Sequence, residues 1–173
     1  RLDWNLIMFK EPELAPDLEW LLQSQDAPTP VLAEALVEAF FPSLFTTACA
    51  LIEDREMAWA MTVGSIRDML LAVYRYKAGT NPDSWARRIA MESFLGSLAR
   101  PAGQENGALG PHEARPGSPL LGRFDALGAV PRLAVALSIL QGLGPREIGQ
   151  ALGIGERLAA AELERAASSL GEG

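Results

Sequence analysis

Apolar residues recur every three or four positions along most of the chain, which is the spacing of amphipathic helices. Stretches that alternate apolar and polar residues, as half-buried strands do, are nearly absent. "TPVLAEALVEAFF" predicts one helix in which Thr29 is the cap and Pro30 occupies the first turn. Its expected buried positions are Leu32, Leu36 and Phe40. The pattern therefore predicts an all-α protein.

A short helix, "PDLEWLLQSQ", is predicted before Thr29, and three more helices are predicted between Phe41 and residue 101. We expect Pro42 to open a separate helix, "PSLFTTACALI", because proline is tolerated in a first turn and disrupts a helix interior. "DREMAWAMTVGSIRDMLLAVYRYK" and "SWARRIAMESFLGSLAR" form the other two. The expected buried positions of the three, in order, are Leu44, Ala48 and Leu51; Met57, Met61, Ile66, Met69, Leu70 and Val73; and Trp85, Ile89 and Leu95.

A segment without periodicity divides these helices from the rest. Residues 101–122, "PAGQENGALGPHEARPGSPLLG", have the Pro, Gly and polar composition of a linker. We therefore expect two small helical lobes, one over 29–100 and the other over 123–173, joined by the linker. An acidic extension over 1–28 precedes the first lobe. Within the second domain, "GLGPREIGQALGIGERLAAAELERA" has the cadence of a helix-turn-helix.

Three motifs occur in order along the chain: "EDREMA", "SWARRIA" and "LGAVPRLAVALSILQGLGPREIGQALGIGE". In this order, with a linker before the third, they resemble bacterial RNA polymerase sigma factors of the extracytoplasmic-function type, over roughly 40–170. The matching residues are Asp54, Ala58, Trp85, Arg88, Ile89, Ala90, Pro131, Glu147, Ile148, Leu152, Gly153 and Ile154. The resemblance implies a region-2-like bundle that melts promoters and a region-4-like helix-turn-helix domain. It also implies core RNA polymerase and anti-sigma factors as partners.

The residues at two contact surfaces depart from the family's pattern. Where the family carries two acids, a glutamine and another acid toward the polymerase clamp, this chain has Trp59, Ala60, Val63 and Gly64. Charge-assisted hydrogen bonds of this kind contribute ~1.5–3 kcal/mol each, so we expect the usual clamp binding to be lost. These four residues are then candidates for an interface with polymerase or with another partner.

The second departure lies in the recognition helix, "ERLAAAELERA". Leu158 stands where threonine is common, and Ala160 and Glu162 stand where the family carries Lys or Arg. Carboxylates near phosphates repel, so we expect weakened reading of promoter DNA and count these three residues as further candidates for a protein interface. The candidate DNA-binding residues that remain are Arg67, Arg75, Arg87, Arg88, Arg100, Arg157 and Arg165.

The net charge of −7 argues against general affinity for nucleic acid. Residues 1–53 carry 2 basic and 9 acidic side chains, whereas residues 54–100 carry 7 basic and 5 acidic ones. Opposite charge would therefore favour a fold-back of the first segment onto the second.

Cys49 and His112 are the only residues of their kinds, which excludes an internal disulfide and a zinc cluster. We find no nucleophile–histidine pairing and no phosphate loop, so we expect no enzymatic activity, catalytic residue, metal, cofactor or small-molecule substrate. We also expect a cytoplasmic protein. No apolar run was found that approaches the ~20 residues of a membrane span, so none is expected.

These observations predict a sigma-factor-like transcription regulator that acts mainly through contacts with an anti-sigma factor or a polymerase-associated protein. Two alternatives stay open. One is a divergent but functional sigma factor that directs polymerase to promoters by binding DNA. The other is a sigma-like interaction scaffold within a larger sensor.

Overall fold

The computed structural model describes residues 16–24, 29–99 and 119–171, and within these ranges every regular element is a helix. The prediction of an all-α protein is confirmed. The helices are α1 (Pro16–Gln23), α2 (Thr29–Leu51), α3 (Arg55–Ala72), α4 (Pro82–Leu98), α5 (Pro119–Ala126), α6 (Ala129–Gln141), α7 (Pro145–Leu152) and α8 (Glu156–Gly171), with a 3-10 turn at Val73–Arg75 between α3 and α4.

Side-chain caps fix the starts of α3 and α4. The carboxylate of Asp54 accepts hydrogen bonds from the backbone N–H groups of Glu56, at 2.8 Å, and Met57, at 3.2 Å. The amide oxygen of Asn81 accepts from the backbone N–H of Ser84 at 2.9 Å, and Pro82 fills the first turn. Each cap satisfies backbone donors that have no partner within the helix, and so sets where that helix begins.

The expected break at Pro42 is wrong, because α2 runs without interruption from Thr29 to Leu51. Its buried residues keep helical spacing through the proline: Leu32, Leu36, Phe40, Leu44, Thr47, Ala48 and Leu51. Proline lacks one backbone donor and crowds the preceding turn, at a cost of roughly 3 kcal/mol in a helix interior. Burial of one apolar stripe on both sides of Pro42 outweighs that cost.

The buried face of α4 also differs from the prediction. Trp85, Ile89 and Leu95 are only partly buried, although they pack against the core. The buried side chains are Pro82, Ala86, Ala90, Met91 and Phe94. Because α4 packs against both α3 and α7, its deepest positions face two helices at once. Small side chains such as Ala86 and Ala90 fit there because they let helix axes approach closely.

One hydrophobic core includes residues from both of the segments predicted as separate lobes. α2 packs against α6, and α4 packs against α7 and α6. Leu36, Leu51 and Phe94 therefore share a cluster with Leu133 and Ile148. The helical part of the second segment begins at Pro119, inside the stretch predicted as linker, whereas residues 101–118 of that stretch lie outside the described residues.

By length and composition α2 is able to cross a membrane, which the sequence reading missed because it ended the helix at Pro42. Seven of its residues are buried against other helices. A helix at the centre of a helical core meets the same length and composition criteria, so these properties alone assign α2 to neither environment.

Candidate protein-interaction surface

α2 and α3 form a helical hairpin, because the short turn at 52–54 joins two helices that pack along each other. Their inward stripes enter the core, and each helix also carries apolar residues on a second, outer face. At 100° per residue, Val37, Phe41 and Phe45 fall on one side of α2. Trp59 and Val63, four positions apart, do the same on α3.

Three aromatic rings meet on this outer face. The ring centroids of Phe41 and Trp59 are 4.7 Å apart, and the indole contacts Phe45 edge-on at 5.8 Å. Phe41 and Phe45 stack at 5.7 Å. Trp59 is 54% exposed and Val63 is 45% exposed, so much of this apolar area faces solvent. We call Val37, Phe41, Phe45, Trp59 and Val63 the aromatic patch.

Arg55 lies at one end of the aromatic patch. Its guanidinium carbon is 5.8 Å from the centroid of the Phe45 ring, within the range of a cation–π contact. Such a contact at an exposed site contributes ~0.5–1 kcal/mol, enough to favour one orientation of the arginine and too little to fix it.

The structure places the four predicted interface residues of α3 at or near the surface. Trp59, Ala60 and Val63 are exposed and Gly64 is partly exposed. A β-carbon built on Gly64 meets nothing within 4 Å, so space is open beside it. The sequence reading missed Phe41 and Phe45, which complete the patch from α2. Val37, Phe41 and Phe45 are four residues apart, and each follows a residue of the buried Leu36–Phe40–Leu44 stripe by one position. This spacing could have predicted a second apolar face on α2.

The candidate DNA-binding arginines of the first segment do not form one cluster of unpartnered cations. Arg67 pairs with Asp68 at 3.1 Å, and Arg88 pairs with Glu92 at 3.1 Å on its own helix. The guanidinium of Arg75 lies 5.2 Å from the ring centroid of Tyr74, whose hydroxyl accepts from the arginine Nε at 2.9 Å. Arg87 is partly buried on α4, and Arg100 lies outside the described residues.

α7 and α8 form a tight helix-turn-helix. Gly153 ends α7 in the left-handed region at φ 67°, and the backbone N–H of Ile154 donates to the Gly149 carbonyl at 2.9 Å. The turn passes so close to α7 that a β-carbon on Gly149 would lie 2.9 Å from the Ile154 carbonyl oxygen. At the start of α7, the Glu147 carboxylate accepts from the Gly144 N–H at 2.9 Å. The helix-turn-helix skeleton is therefore intact.

The expectation that Glu162 faces outward is wrong. Only 7% of Glu162 is exposed, and its carboxylate accepts from the Arg165 guanidinium at 3.0 Å. Ala159, Glu162 and Ala166 are spaced three and four positions apart and form the buried face of α8. The carboxylates on the outer face are instead those of Glu156 and Glu164.

The other residues predicted on α8 lie around that outer face. Leu158 is 47% exposed, Arg157 and Arg165 are exposed, and Ala160 is partly buried. The outer face thus presents two carboxylates and two guanidinium groups, one of which is already paired with Glu162. It carries no excess of positive charge toward a duplex.

A buried arginine, which the sequence reading did not single out, joins the two segments. Arg132 of α6 is 7% exposed and donates to the backbone carbonyl of Leu51, the last residue of α2. Its guanidinium lies 3.6 Å from the Asp125 carboxylate and 5.6 Å from the Phe124 ring centroid. A cation inside the apolar run "VPRLAVALSIL" was the signal, since a buried charge needs a partner.

A second polar contact supports this junction. The side-chain amide of Gln141, at the end of α6, donates to the Thr47 hydroxyl of α2 at 3.1 Å. Thr47 in turn donates to the Ser43 carbonyl at 2.9 Å. α6 is therefore held to α2 by directional bonds near both of its ends.

No protein-family model matches the chain, and no curated protein matches it. Within the described ranges, no group of three or more His, Cys, Asp or Glu side chains is placed to hold a metal ion. Among the exposed apolar side chains of the described residues, Trp59 contacts two other aromatic rings.

Proposed function

We propose that this chain is a sigma-factor-like transcription regulator that acts mainly through protein–protein contacts, with weakened reading of promoter DNA. The observation that carries the proposal is the aromatic patch. It includes Trp59 and Val63, two of the positions where the resemblance places polar contacts to polymerase. Contiguous apolar and aromatic area of this kind marks protein interfaces, and tryptophan is enriched at their energetic centres.

The outer face of α8 supports the same proposal. A helix that contacts DNA phosphates needs uncompensated cations, because each neutralised phosphate adds to affinity. Here Glu156 and Glu164 offset Arg157 and Arg165. An anti-sigma factor or a polymerase-associated protein is the class of partner that the resemblance suggests.

A gel-shift series with promoter DNA, run with and without core polymerase, tests the proposal together with a pull-down on the purified chain. We expect no DNA-dependent shift at physiological salt from the chain alone, and retention of a transcription protein in the pull-down. Retention should fall for Trp59→Ala and persist for Trp20→Ala, since Trp20 is also exposed, at 65%, but lies on α1. A promoter complex that forms only with core polymerase would contradict the proposal.

The second candidate function is that of a divergent sigma factor that still engages promoters. The adjacent cations Arg87 and Arg88 favour it, because they stand on α4, which the resemblance places near the minus-ten DNA. The salt bridge of Arg88 with Glu92 is exposed on both sides and is exchangeable for a phosphate contact. In vitro transcription with core polymerase separates the two readings: promoter-dependent transcripts lost on Arg87→Ala and Arg88→Ala would favour this one.

A further inference from the structure

We propose that the aromatic patch is the docking site for one amphipathic helix of a partner protein, and that the docking helix is cationic. This inference rests on the proposed function and adds the chemistry of the partner.

The apolar area predicts how the partner binds. Three rings already pack against one another, so this apolar surface is ordered before a partner arrives. Preorganisation of this kind lowers the entropic cost of association. Trp59 contacts both phenylalanines and is more than half exposed, as expected of an anchor residue. The partner must therefore supply apolar side chains.

The shape of the patch favours a helix as the occupant. The aromatic patch spans two helices that pack along each other, and an amphipathic helix laid across such a pair inserts residues at i, i+3 or i+4, and i+7. Ala60 and Gly64 follow Trp59 and Val63 by one position each, so small residues border the anchors along α3. Open space beside Gly64 leaves room for the backbone of a third helix.

The charges around the patch determine the sign of the partner. On α2, Glu34 and Glu38 are exposed within about 100° of Val37, Phe41 and Phe45 on the helix circumference. At the start of α3, Glu56 is also exposed. Arg55 is the cation that contacts the patch, through the Phe45 ring, and Arg67 is paired with Asp68.

An acidic rim around an apolar centre attracts a basic partner and repels an acidic one. Complementary charge of this kind raises the association rate and selects the partner, while the buried anchors supply most of the affinity. The Asp54 carboxylate already accepts hydrogen bonds at the start of α3. The carboxylates with the best access to a docked helix are therefore those of Glu34, Glu38 and Glu56.

The test uses two synthetic amphipathic peptides of the same length, one of leucine and lysine and the other with glutamate at every lysine position. Titration calorimetry on the full chain should show binding of the lysine peptide, and weaker or no binding of the glutamate peptide. Trp59→Ala should weaken the lysine peptide about tenfold or more. Trp20→Ala, the matched exposed tryptophan, should leave its affinity unchanged.

A second variant keeps the proposal testable if Trp59→Ala loosens the hairpin. Glu34→Lys combined with Glu38→Lys changes only exposed side chains, so circular dichroism should be unaltered. It should weaken the lysine peptide and reduce the salt dependence of its affinity. Loss of affinity in both the anchor variant and the charge variant supports the proposal.

Three results would overturn it: equal affinity of the lysine peptide for the unaltered chain and Trp59→Ala, equal affinity for both peptides, or a dimer of the free chain in sedimentation that Trp59→Ala abolishes. The last would make a second copy the occupant. These three results are distinct from failure of the proposed function. That failure would appear as a promoter complex with core polymerase, independent of peptide binding.

Discussion

The outer faces of α3 and α8 depart from the pattern of the family that the sequence resembles in opposite ways. In the family that the sequence resembles, the matching positions carry polar side chains on the first of these helices and cationic side chains on the second. α3 carries Trp59 there, in contact with two other aromatic rings, together with Val63, whereas α8 carries the partly buried Ala160 and a single exposed leucine, Leu158, among balanced charges. Alanine is a good helix former and leaves a surface inert. An exposed tryptophan packed against two phenylalanines instead presents apolar area to solvent.

Both faces belong to one folded unit with a shared hydrophobic core, and Arg132 joins the two segments of that unit. Arg132→Ala removes the guanidinium from the buried Leu51 carbonyl and the Asp125 carboxylate. Breaking a buried charge pair on one side costs ~3–5 kcal/mol, so we expect the largest loss of stability here. Urea denaturation followed by far-ultraviolet circular dichroism measures it.

Arg157→Ala is the matched control, because Arg157 is exposed on α8. It should change the free energy of unfolding by less than about 0.5 kcal/mol. If Arg132→Ala unfolds at the same urea concentration as the unaltered chain, the junction does not hold the two segments together.

Gly149→Ala should give the next largest effect, confined to the helix-turn-helix. The added β-carbon meets the backbone carbonyl of Ile154 at 2.9 Å, which cannot move away as a side-chain end could. Overpacking of this kind costs ~1–3 kcal/mol, and thermal unfolding measures it. Gly64→Ala on α3 is the control: nothing opposes its β-carbon, and the change should stabilise by ~0.5–1 kcal/mol.

Charge reversal on α8 separates its two faces. Glu162→Lys places an ammonium group at a buried position, where an unpaired charge is costly, so we expect a lower melting temperature. Glu164→Lys changes an exposed residue and should leave stability unaltered while strengthening duplex binding a few-fold at low salt. Fluorescence anisotropy with a labelled duplex reports the second effect. If Glu162→Lys is as stable as Glu164→Lys, residue 162 lies on the outer face.

A small stability effect is also expected at Leu158. Leu158→Ala shortens a half-exposed side chain on a helix and should change stability by less than about 0.5 kcal/mol. Its retention of a partner in the pull-down should equal that of the unaltered chain, whereas Trp59→Ala should lose it. Loss of the partner on Leu158→Ala would give α8 an active part in binding and remove the contrast between the two helices.

Periodicity in the sequence predicted most helices correctly and failed where tertiary packing overrode a local rule. Leu36, Phe40 and Leu44 continue one stripe through Pro42, and no local rule weighs that burial against a lost hydrogen bond. On α4, two helices pack from different sides, so alanines such as Ala90 lie deeper than Trp85. A single hydrophobic stripe cannot indicate two neighbours.

The candidate site divides in the same way. The exposure of Trp59 and Val63 could be predicted, because apolar residues off the buried stripe of a helix must face solvent or a partner. The contribution of Phe41 and Phe45 could not be, since it depends on how the two helices are rotated about each other. Glu162 was misplaced for a related reason: pairing with Arg165 lets a carboxylate occupy an inward position that its residue type disfavours.

The carbonyl of Leu51 receives its hydrogen bond from a residue 81 positions further along the chain. Cutting the polypeptide at residue 100 would therefore leave the exit of α2 without its donor and would bare the apolar sides of α2 and α4 that α6 and α7 cover. Each half expressed alone should therefore aggregate and be poorly soluble. The two halves expressed together should associate with each other.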